Sequence, residues 1–189
     1  MVWLYGGAFQ TGSTCEKEFN GEQLARQGVV VVSIAYRLNV FGFFAHAMLE
    51  KEAVDGRPCA NFGFLDQRMG IQWVKDNIAL FGGDPANITV FGQSAGAASA
   101  LAQSVSPMND GLFQRVIMQS GGGTGLFNRH LWSLEDAQRN GARFLKYLEV
   151  ESIAEARSVP ATDLLEAAVT FPACGWSGQG GDVVWAPLA

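Results

Sequence analysis

The sequence predicts an α/β fold in which helices flank a central, mostly parallel sheet. Short apolar, β-branched segments occur at residues 1–5, 29–35, 88–92 and 115–119, and each has the length of a strand. Helical patterns separate these segments, and strands that alternate with helices usually pair in parallel. Glycine contributes 23 of the 189 residues, which indicates many tight turns between the elements.

The strand and helix segments can be taken in order. Residues 29–35 read Val-Val-Val-Val-Ser-Ile-Ala, a continuous apolar run typical of a strand buried on both faces. Helices are predicted near 20–27, 65–80 and 95–105. Apolar side chains recur at helical spacing in the second helix, at Leu65, Met69, Trp73 and, one turn on, Ile78. Gly82-Gly83-Asp84-Pro85 is predicted to end that helix.

The character of the chain changes after Ser120, where residues 121–125 are predicted to form a flexible glycine loop. Helices are predicted near 134–149, 152–158 and 161–169, and Ser152 with Glu155 fits a capping box. We interpret 1–189 as one partial domain, with a sheet core at 1–121 and a loop and helical region at 122–189. A strand is already in progress at the N-terminus and no element finishes the C-terminus. We therefore expect a domain that is incomplete at both ends.

Composition and spacing argue against several classes of function. The 13 Lys and Arg residues against 18 Asp and Glu residues give a net charge of −5, so no basic surface for nucleic acid or anionic lipid is indicated. The three cysteines form no C-x-x-C pair, and no metal cluster is visible. Residues 7–14 have the spacing of a phosphate-binding P-loop, but Ser13 stands where its lysine is required. The longest apolar run, 28–35, is far too short to span a bilayer.

The segment Gly92-Gln93-Ser94-Ala95-Gly96, called the elbow below, matches the G-x-S-x-G pattern of a nucleophile elbow. It follows a predicted strand and opens a predicted helix, which is the context that this motif requires. The turn holds the serine in a strained conformation above the sheet, at a helix N-terminus whose dipole favours negative charge. The alternative is a Gly-Ser turn that only connects two elements, and the strand–helix context favours Ser94 as a nucleophile.

A second glycine-rich segment, Tyr5-Gly6-Gly7-Ala8-Phe9, follows the first strand, and we call residues 5–9 the oxyanion loop. Acyl transfer passes through a tetrahedral intermediate that carries an oxyanion, and each preorganised donor to it accounts for ~10²–10³ in rate. The N–H groups of Gly7, Ala8 and Ala95 are predicted to form such an oxyanion hole. Alone, the segment is more typical of a turn after a strand. Its combination with the elbow favours the oxyanion hole.

These segments resemble the type-B carboxylesterases, the cholinesterase-like branch of the α/β-hydrolases. The resemblance covers residues 1–121 through the motifs VWLYGGAF at 2–9, YRL at 36–38, FGF at 41–43, NFGFLDQR at 61–68, WVKDNI at 73–78, FGGDP at 81–85, VFGQSAG at 90–96 and QSG at 119–121. It implies an α/β-hydrolase fold and a serine carboxylesterase that works through an acyl-enzyme intermediate and a serine–acid–histidine triad. It makes Ser94 the nucleophile and gives Gly7, Ala8 and Ala95 the oxyanion role.

The resemblance also implies supporting roles around the site. Gln93 adjoins the nucleophile, and Ser120 is similar to a family serine near the triad acid. Arg37 and Asp66 resemble a structural ion pair of the family, and Asn61 resembles a structural asparagine.

Two positions depart from the family pattern. Ala8 replaces the third loop glycine of many relatives, and its N–H remains a donor if the backbone angles allow. Gln93 stands where the cholinesterases carry a glutamate. A neutral amide offers no charge to a quaternary ammonium group, so an enzyme specialised for choline esters is not expected.

The triad itself is incomplete in this chain. The order in this fold is serine, acid, histidine, and the resemblance implies that both partners follow residue 189. His46 precedes Ser94 and is interpreted as a loop histidine, and His130 is not assigned as the base. The carboxylates interpreted as surface helix charges are Asp136, Glu149 and Asp163. Because triad members act as a unit, we expect this chain alone to have little esterase activity.

The function predicted from these observations is hydrolysis of carboxylic esters, on small to medium uncharged substrates and without a cofactor. The alternative is a catalytically inactive cholinesterase-like binding or adhesion module. Members of that kind typically lose the serine, and Ser94 is present. The disulfide pattern of secreted animal relatives is absent, which favours a cytoplasmic location. The sequence predicts neither the identity of the ester nor an oligomeric state.

Overall fold

The computed structural model describes residues 1–53, 60–121, 131–172 and 185–188. The chain forms two compact units. The first unit comprises Met1–Tyr36 and Gly63–His130, and the second comprises Arg37–Phe62 and Leu131–Ala189. The division of the chain at residue 121 stays a prediction. The predicted loop at 175–181 and the residues Cys59, Cys174 and His130 lie outside the described residues.

The first unit contains a four-stranded parallel sheet. Its strands are β1 (Val2–Leu4), β2 (Val32–Ser33), β3 (Thr89–Gln93) and β4 (Arg115–Gln119), in the spatial order β2-β1-β3-β4. Val2 pairs with Val32 on one side and with Val90 on the other, and Gln93 pairs with Gln119. The parallel sheet predicted from the alternation of strands and helices is therefore confirmed.

The two outer strands are less buried than their sequences predict. The segment 29–35 yields only the two-residue strand β2, and residues 29–33 are half-buried instead of buried on both faces. Four of the five residues of β4 are exposed. Within the described residues each outer strand has one neighbouring strand, so an apolar run there lacks the cover that β1 and β3 receive.

The helices follow the predicted order, with two additions. They are α1 (Glu22–Ala25), α2 (Asn39–Phe43), α3 (Ala47–Glu50), α4 (Phe62–Asn77), α5 (Ala95–Val105), α6 (Leu134–Tyr147), α7 (Ile153–Ser158) and α8 (Ala161–Thr170). The helices α2 and α3 are too short to produce a periodic pattern, which is why the sequence did not predict them. Within the described residues, no helix is long and apolar enough to cross a membrane.

The apolar stripe noted in the sequence of α4 is not its core face. Leu65, Met69 and Trp73 are 41%, 73% and 49% exposed. The buried side chains of this helix are instead Gln67, Ile71 and Val74, and the last two pack in the core with β1 and β3. Because the polar Gln67 lies on the buried face, the hydrophobic pattern in the sequence did not reveal that face. After α4 the chain forms a 3₁₀ turn, Ile78–Phe81, and stops at Gly82 with φ 80°, as predicted.

The second unit is held by aromatic packing and helix caps. Phe144 lies 5.2 Å from Phe171 and 4.9 Å from Trp185 between ring centroids, both edge to face. Ser152 accepts the Glu155 N–H and donates to its carboxylate, which confirms the serine cap of the predicted capping box. The Glu155 carboxylate accepts its backbone bond from the Glu151 N–H, one residue before the cap. The Asn61 side chain pairs with both backbone groups of Leu188, which gives this asparagine a structural contact.

Candidate active site

Ser94 occupies the turn between β3 and α5, as the motif requires. Its backbone angles are φ 55° and ψ −121°, a conformation that residues with side chains rarely adopt. The Ser94 N–H donates to the Gln119 carbonyl at 2.9 Å, and its own carbonyl accepts from Ala97 and Ala98. The strained residue is therefore held by β4 on one side and by the first turn of α5 on the other.

The two glycines of the elbow allow this turn because the backbone there is crowded. A Cβ atom added to Gly96 would lie 1.9 Å from the Leu4 carbonyl oxygen. A Cβ atom added to Gly92 would lie 2.4 Å from the Gly96 carbonyl oxygen. Both contacts are with backbone atoms that cannot rotate away, so α5 approaches β1 and β3 this closely only with glycine at these positions.

The oxyanion loop turns sharply after β1. Gly7, Ala8 and Phe9 have φ values of 109°, 54° and 63° in succession, and the Gly7 carbonyl accepts from the N–H groups of Gln10 and Thr11. Phe9 is fully buried against Phe64, which anchors the end of the loop. Ala8 therefore adopts the left-handed conformation that glycine would adopt more readily, and it retains its N–H.

The oxyanion loop and the elbow are in contact. A Cβ atom on Gly6 would lie 2.8 Å from the Gln93 carbonyl oxygen and 3.2 Å from the Ser94 Cβ. Among the residues that the structure describes, the N–H groups of Gly7, Ala8 and Ala95 donate no hydrogen bond, and neither does the half-buried Ser94 hydroxyl. Donors without internal partners thus lie beside a serine at the N-terminus of an eleven-residue helix.

Of the two supporting residues, Gln93 belongs to the elbow and Ser120 lies next to it. Gln93 is the last residue of β3 and contributes to a half-open cavity of about 390 Å³ together with Gly6, Gly7 and Glu16. Ser120 follows β4 with φ 53°, and a Cβ atom on the next residue, Gly121, would lie 2.7 Å from the Ser94 carbonyl oxygen. Arg37 and Asp66 fall in different units, and their ion pair stays a prediction.

The described histidine and the three surface carboxylates belong to the second unit. His46 caps α3 by accepting the Met48 N–H on Nδ1 at 3.0 Å, and burial lowers the pKa of its imidazole. The carboxylates lie at helix ends: Asp136 in the first turn of α6, Glu149 after its end, and Asp163 in the first turn of α8. These positions agree with the structural roles expected from the sequence.

The pairing of Tyr5, the first residue of the oxyanion loop, with Tyr36 was not predicted from the sequence. Tyr5 follows β1 and Tyr36 follows β2, and their rings stack at 4.4 Å with a 16° interplanar angle. Burial raises the pKa of both hydroxyls, so both stay protonated. The available signal was an aromatic residue just after each of two strands that pair with each other.

Comparisons with known proteins agree with this geometry. A family model described as the carboxylesterase family matches residues 1–188. The chain is 42% identical over 171 residues to para-nitrobenzyl esterase of Bacillus subtilis (strain 168), covering 89% of this chain and 33% of that protein. It is 49% identical over 128 residues to bile salt-activated lipase of Mus musculus, covering 64% of this chain and 20% of that protein.

Comparison with solved structures also finds carboxylesterases. The carboxylesterase EST55 of Geobacillus stearothermophilus superimposes with a TM-score of 0.82 at 40% identity, over 99% of this chain and 38% of that one. The chain thus spans about a third of the length of para-nitrobenzyl esterase and 38% of the length of EST55. The chain belongs to the carboxylesterase family and has the α/β-hydrolase fold.

Proposed function

We propose that the full-length protein is a serine carboxylesterase that hydrolyses small-molecule esters through an acyl-enzyme intermediate. One observation carries the proposal: the strained Ser94 lies at a helix N-terminus, beside a loop in which the N–H groups of Gly7 and Ala8 have no partner among the described residues. Strain of this kind persists only where the surrounding structure enforces it, and it concentrates at active sites.

In the proposed reaction, the Ser94 Oγ attacks the carbonyl carbon of the ester. The carbonyl oxygen becomes an oxyanion and accepts hydrogen bonds from the N–H groups of Gly7, Ala8 and Ala95. The intermediate collapses with loss of the alcohol, and water then hydrolyses the acyl-serine by the same route. A histidine is required to take the serine proton and return it to the alcohol, and we expect that histidine to follow Ser94 in the order serine, acid, histidine.

We propose supporting roles for two neighbours of the nucleophile. Gln93 precedes the nucleophile and lines a cavity together with Gly6 and Gly7. Because its amide adds no charge where the cholinesterases carry a glutamate, we expect Gln93 itself to give no preference for quaternary ammonium esters over uncharged ones. Ser120, at the end of β4, is proposed to support the acid of the triad.

The test compares wild type with Ser94→Ala in the full-length protein. Wild type is expected to hydrolyse p-nitrophenyl acetate and to react with a fluorophosphonate probe at Ser94. Ser94→Ala should lose about 10⁶-fold in kcat, as removal of a triad serine does elsewhere. The matched control is Ser104→Ala on the same helix, whose exposed hydroxyl donates to the Leu101 carbonyl.

The alternative, an inactive binding module, predicts a different outcome. A folded full-length protein that turns over no ester and takes up no probe at Ser94 would favour that alternative. Hydrolysis that survives Ser94→Ala would assign the activity to another group and would contradict the proposal.

A further inference from the structure

The oxyanion loop rests on a reciprocal tyrosine pair. The Tyr36 hydroxyl donates to the Tyr5 carbonyl oxygen at 2.7 Å, and the Tyr5 hydroxyl donates to the Tyr36 carbonyl oxygen at 3.1 Å. Both residues are almost fully buried, at 2% and 6% exposure. Because water has little access, each hydroxyl depends on these protein partners to satisfy its hydrogen-bonding capacity.

The two hydrogen bonds are not equivalent. The Tyr5 carbonyl belongs to the peptide that leads into Gly6, one peptide before the Gly7 N–H. The Tyr36 hydroxyl therefore acts directly on the backbone of the oxyanion loop. The Tyr5 hydroxyl acts on the backbone after β2, away from that loop.

A buried polar cluster lies between Tyr36 and the helix that carries the nucleophile. The side chain of Ser99, five residues after Ser94 on α5, lies close to the Tyr36 hydroxyl, where it counters the rise in the Tyr36 pKa that burial causes. Ser99 is fully buried and accepts from the Gln67 amide at 3.0 Å. The Gln67 amide oxygen in turn accepts from Gln103 at 3.1 Å. The Tyr36 hydroxyl thus bonds to the oxyanion loop and faces the buried polar side chains of α5.

The Tyr5 carbonyl is also packed against the elbow. A Cβ atom on Gly96 would lie 2.8 Å from the Tyr5 carbonyl oxygen, and a Cβ atom on Gly6 would lie 3.2 Å from the Ser94 Cβ. A rotation of the Tyr5–Gly6 peptide would therefore move the loop N–H groups relative to Ser94. Donors to an oxyanion act only when they are aimed beforehand at its position.

We propose that Tyr36 is a positioning residue: its hydroxyl fixes the Tyr5–Gly6 peptide and so holds the N–H groups of Gly7 and Ala8 at the site of the oxyanion. This inference rests on the proposed function and deepens it. Tyr36 touches neither substrate nor nucleophile in this assignment, and it acts through the backbone of the oxyanion loop.

The test is Tyr36→Phe in the full-length protein, which keeps the stacked ring and removes the hydroxyl. We expect kcat for p-nitrophenyl acetate to fall by about 10- to 100-fold with little change in KM, because displaced donors weaken the transition state and not the bound ester. Affinity for a trifluoromethyl ketone, which forms a tetrahedral adduct with the serine, should fall by the same factor.

The matched control is Tyr5→Phe, which also removes one buried hydroxyl but leaves the bond to the loop peptide intact. Its loss of kcat should be several-fold smaller than that of Tyr36→Phe, although both variants lose thermal stability. Tyr147→Phe, which alters an exposed tyrosine of α6, should leave kcat unchanged. If Tyr36→Phe does not fold, Ser99→Ala provides the test, and it should lower kcat with unchanged KM.

The outcomes separate the two proposals. Equal kcat losses in Tyr36→Phe and Tyr5→Phe, or an unchanged affinity for the trifluoromethyl ketone, would overturn the positioning role while the esterase assignment stands. For Ser99→Ala, an unchanged kcat would have the same meaning. A wild-type protein without ester hydrolysis or labelling of Ser94 would overturn the proposed function and this inference with it.

Discussion

Non-glycine residues with a left-handed backbone conformation occur in both units, but at different kinds of position and for different reasons. Among the described residues, the first unit has four non-glycine residues with left-handed φ: Ala8, Phe9, Ser94 and Ser120. The second unit has three: Asn39, Asn61 and Glu149. Asparagine tolerates this conformation, and Glu149 occupies the position after a helix end where it is common. The second unit therefore adopts positive φ where local chemistry favours it.

The first unit adopts positive φ where local chemistry does not favour it. Alanine, phenylalanine and serine have no intrinsic reason to be left-handed. Yet Ser94 and Ser120 directly follow the carboxyl ends of β3 and β4, and Ala8 and Phe9 lie in the loop after the carboxyl end of β1. Ligands of α/β proteins bind at that edge of the sheet. Backbone strain without a local cause therefore lies at the edge of the sheet where we propose the active site.

The largest loss of unfolding free energy is expected in the second unit, where aromatic side chains pack against one another. Phe144→Ala removes a fully buried ring that contacts Phe171 and Trp185, and it should cost about 3–5 kcal/mol of unfolding free energy. Tyr147→Ala, on the same helix but half-exposed, should cost much less. Denaturant unfolding of the full-length variants measures both, and equal losses would contradict the packing account.

The elbow should be sensitive to a single methyl group. Gly96→Ala places a Cβ 1.9 Å from the Leu4 carbonyl oxygen, and overpacking against backbone should cost about 3 kcal/mol and abolish probe labelling of Ser94. Gly111→Ala is the control, because a Cβ there meets nothing within 4 Å although φ is 78°. A Gly96→Ala variant as stable as the Gly111→Ala control would show that the close approach is not required.

Strain at the nucleophile should be measurable as stability gained on its removal. Ser94→Gly should raise the unfolding free energy by about 1 kcal/mol while abolishing activity, because glycine adopts φ 55° and ψ −121° at little cost. Ser94→Ala, which keeps a Cβ, should bring no such gain. Were the two variants equally stable, the contrast between the units would lose its main support.

A helix cap in the second unit should contribute a similar amount without any strain. Ser152→Ala removes the hydroxyl that bonds Glu155, and it should cost about 1 kcal/mol. Ser158→Ala, at the other end of α7, removes a hydroxyl that bonds only the Ala154 carbonyl, and it is the control. Thermal unfolding distinguishes them, and a cap loss no larger than the control loss would contradict the prediction.

The smallest effect concerns the exposed ion pair of Glu52 and Arg157, whose oxygens and guanidinium nitrogens lie 2.7–2.9 Å apart. Hydrogen bonding to Arg157 lowers the pKa of Glu52. A lowered folded-state pKa means that the stabilisation is present at neutral pH and is lost as the pH falls through that folded pKa. Arg157→Gln should return the Glu52 pKa to its ordinary range in an NMR titration. High salt should reduce the difference between the variants, and an unchanged Glu52 pKa would contradict the assignment.

Local sequence predicted the elements whose signals are contained in a few neighbouring residues. The helix α5 and the strand β4 were predicted at their observed bounds, and β3 within one residue. The Ser152 cap and the Gly82 stop were also predicted, because capping and left-handed turns depend on two or three adjacent residue types. The elbow and the oxyanion loop were predicted for the same reason: their glycines are needed where the chain itself turns.

Tertiary contacts decided what the local pattern could not. The buried face of α4 contains Gln67, whose amide is satisfied by Ser99 and Gln103 from a distant helix, so hydrophobic periodicity indicated the wrong side. The short β2 and the exposed β4 followed from their places at the sheet edges.

By itself, the sequence determined the strand–turn–helix around Ser94, the donor-rich loop after β1 and the family of the chain, because these depend on short, ordered motifs. Only the tertiary structure brought that loop against Ser94 and joined Tyr5 to Tyr36, which lie 31 residues apart. Such pairs form when parallel strands align their carboxyl ends, and that alignment is a property of the sheet and not of either segment.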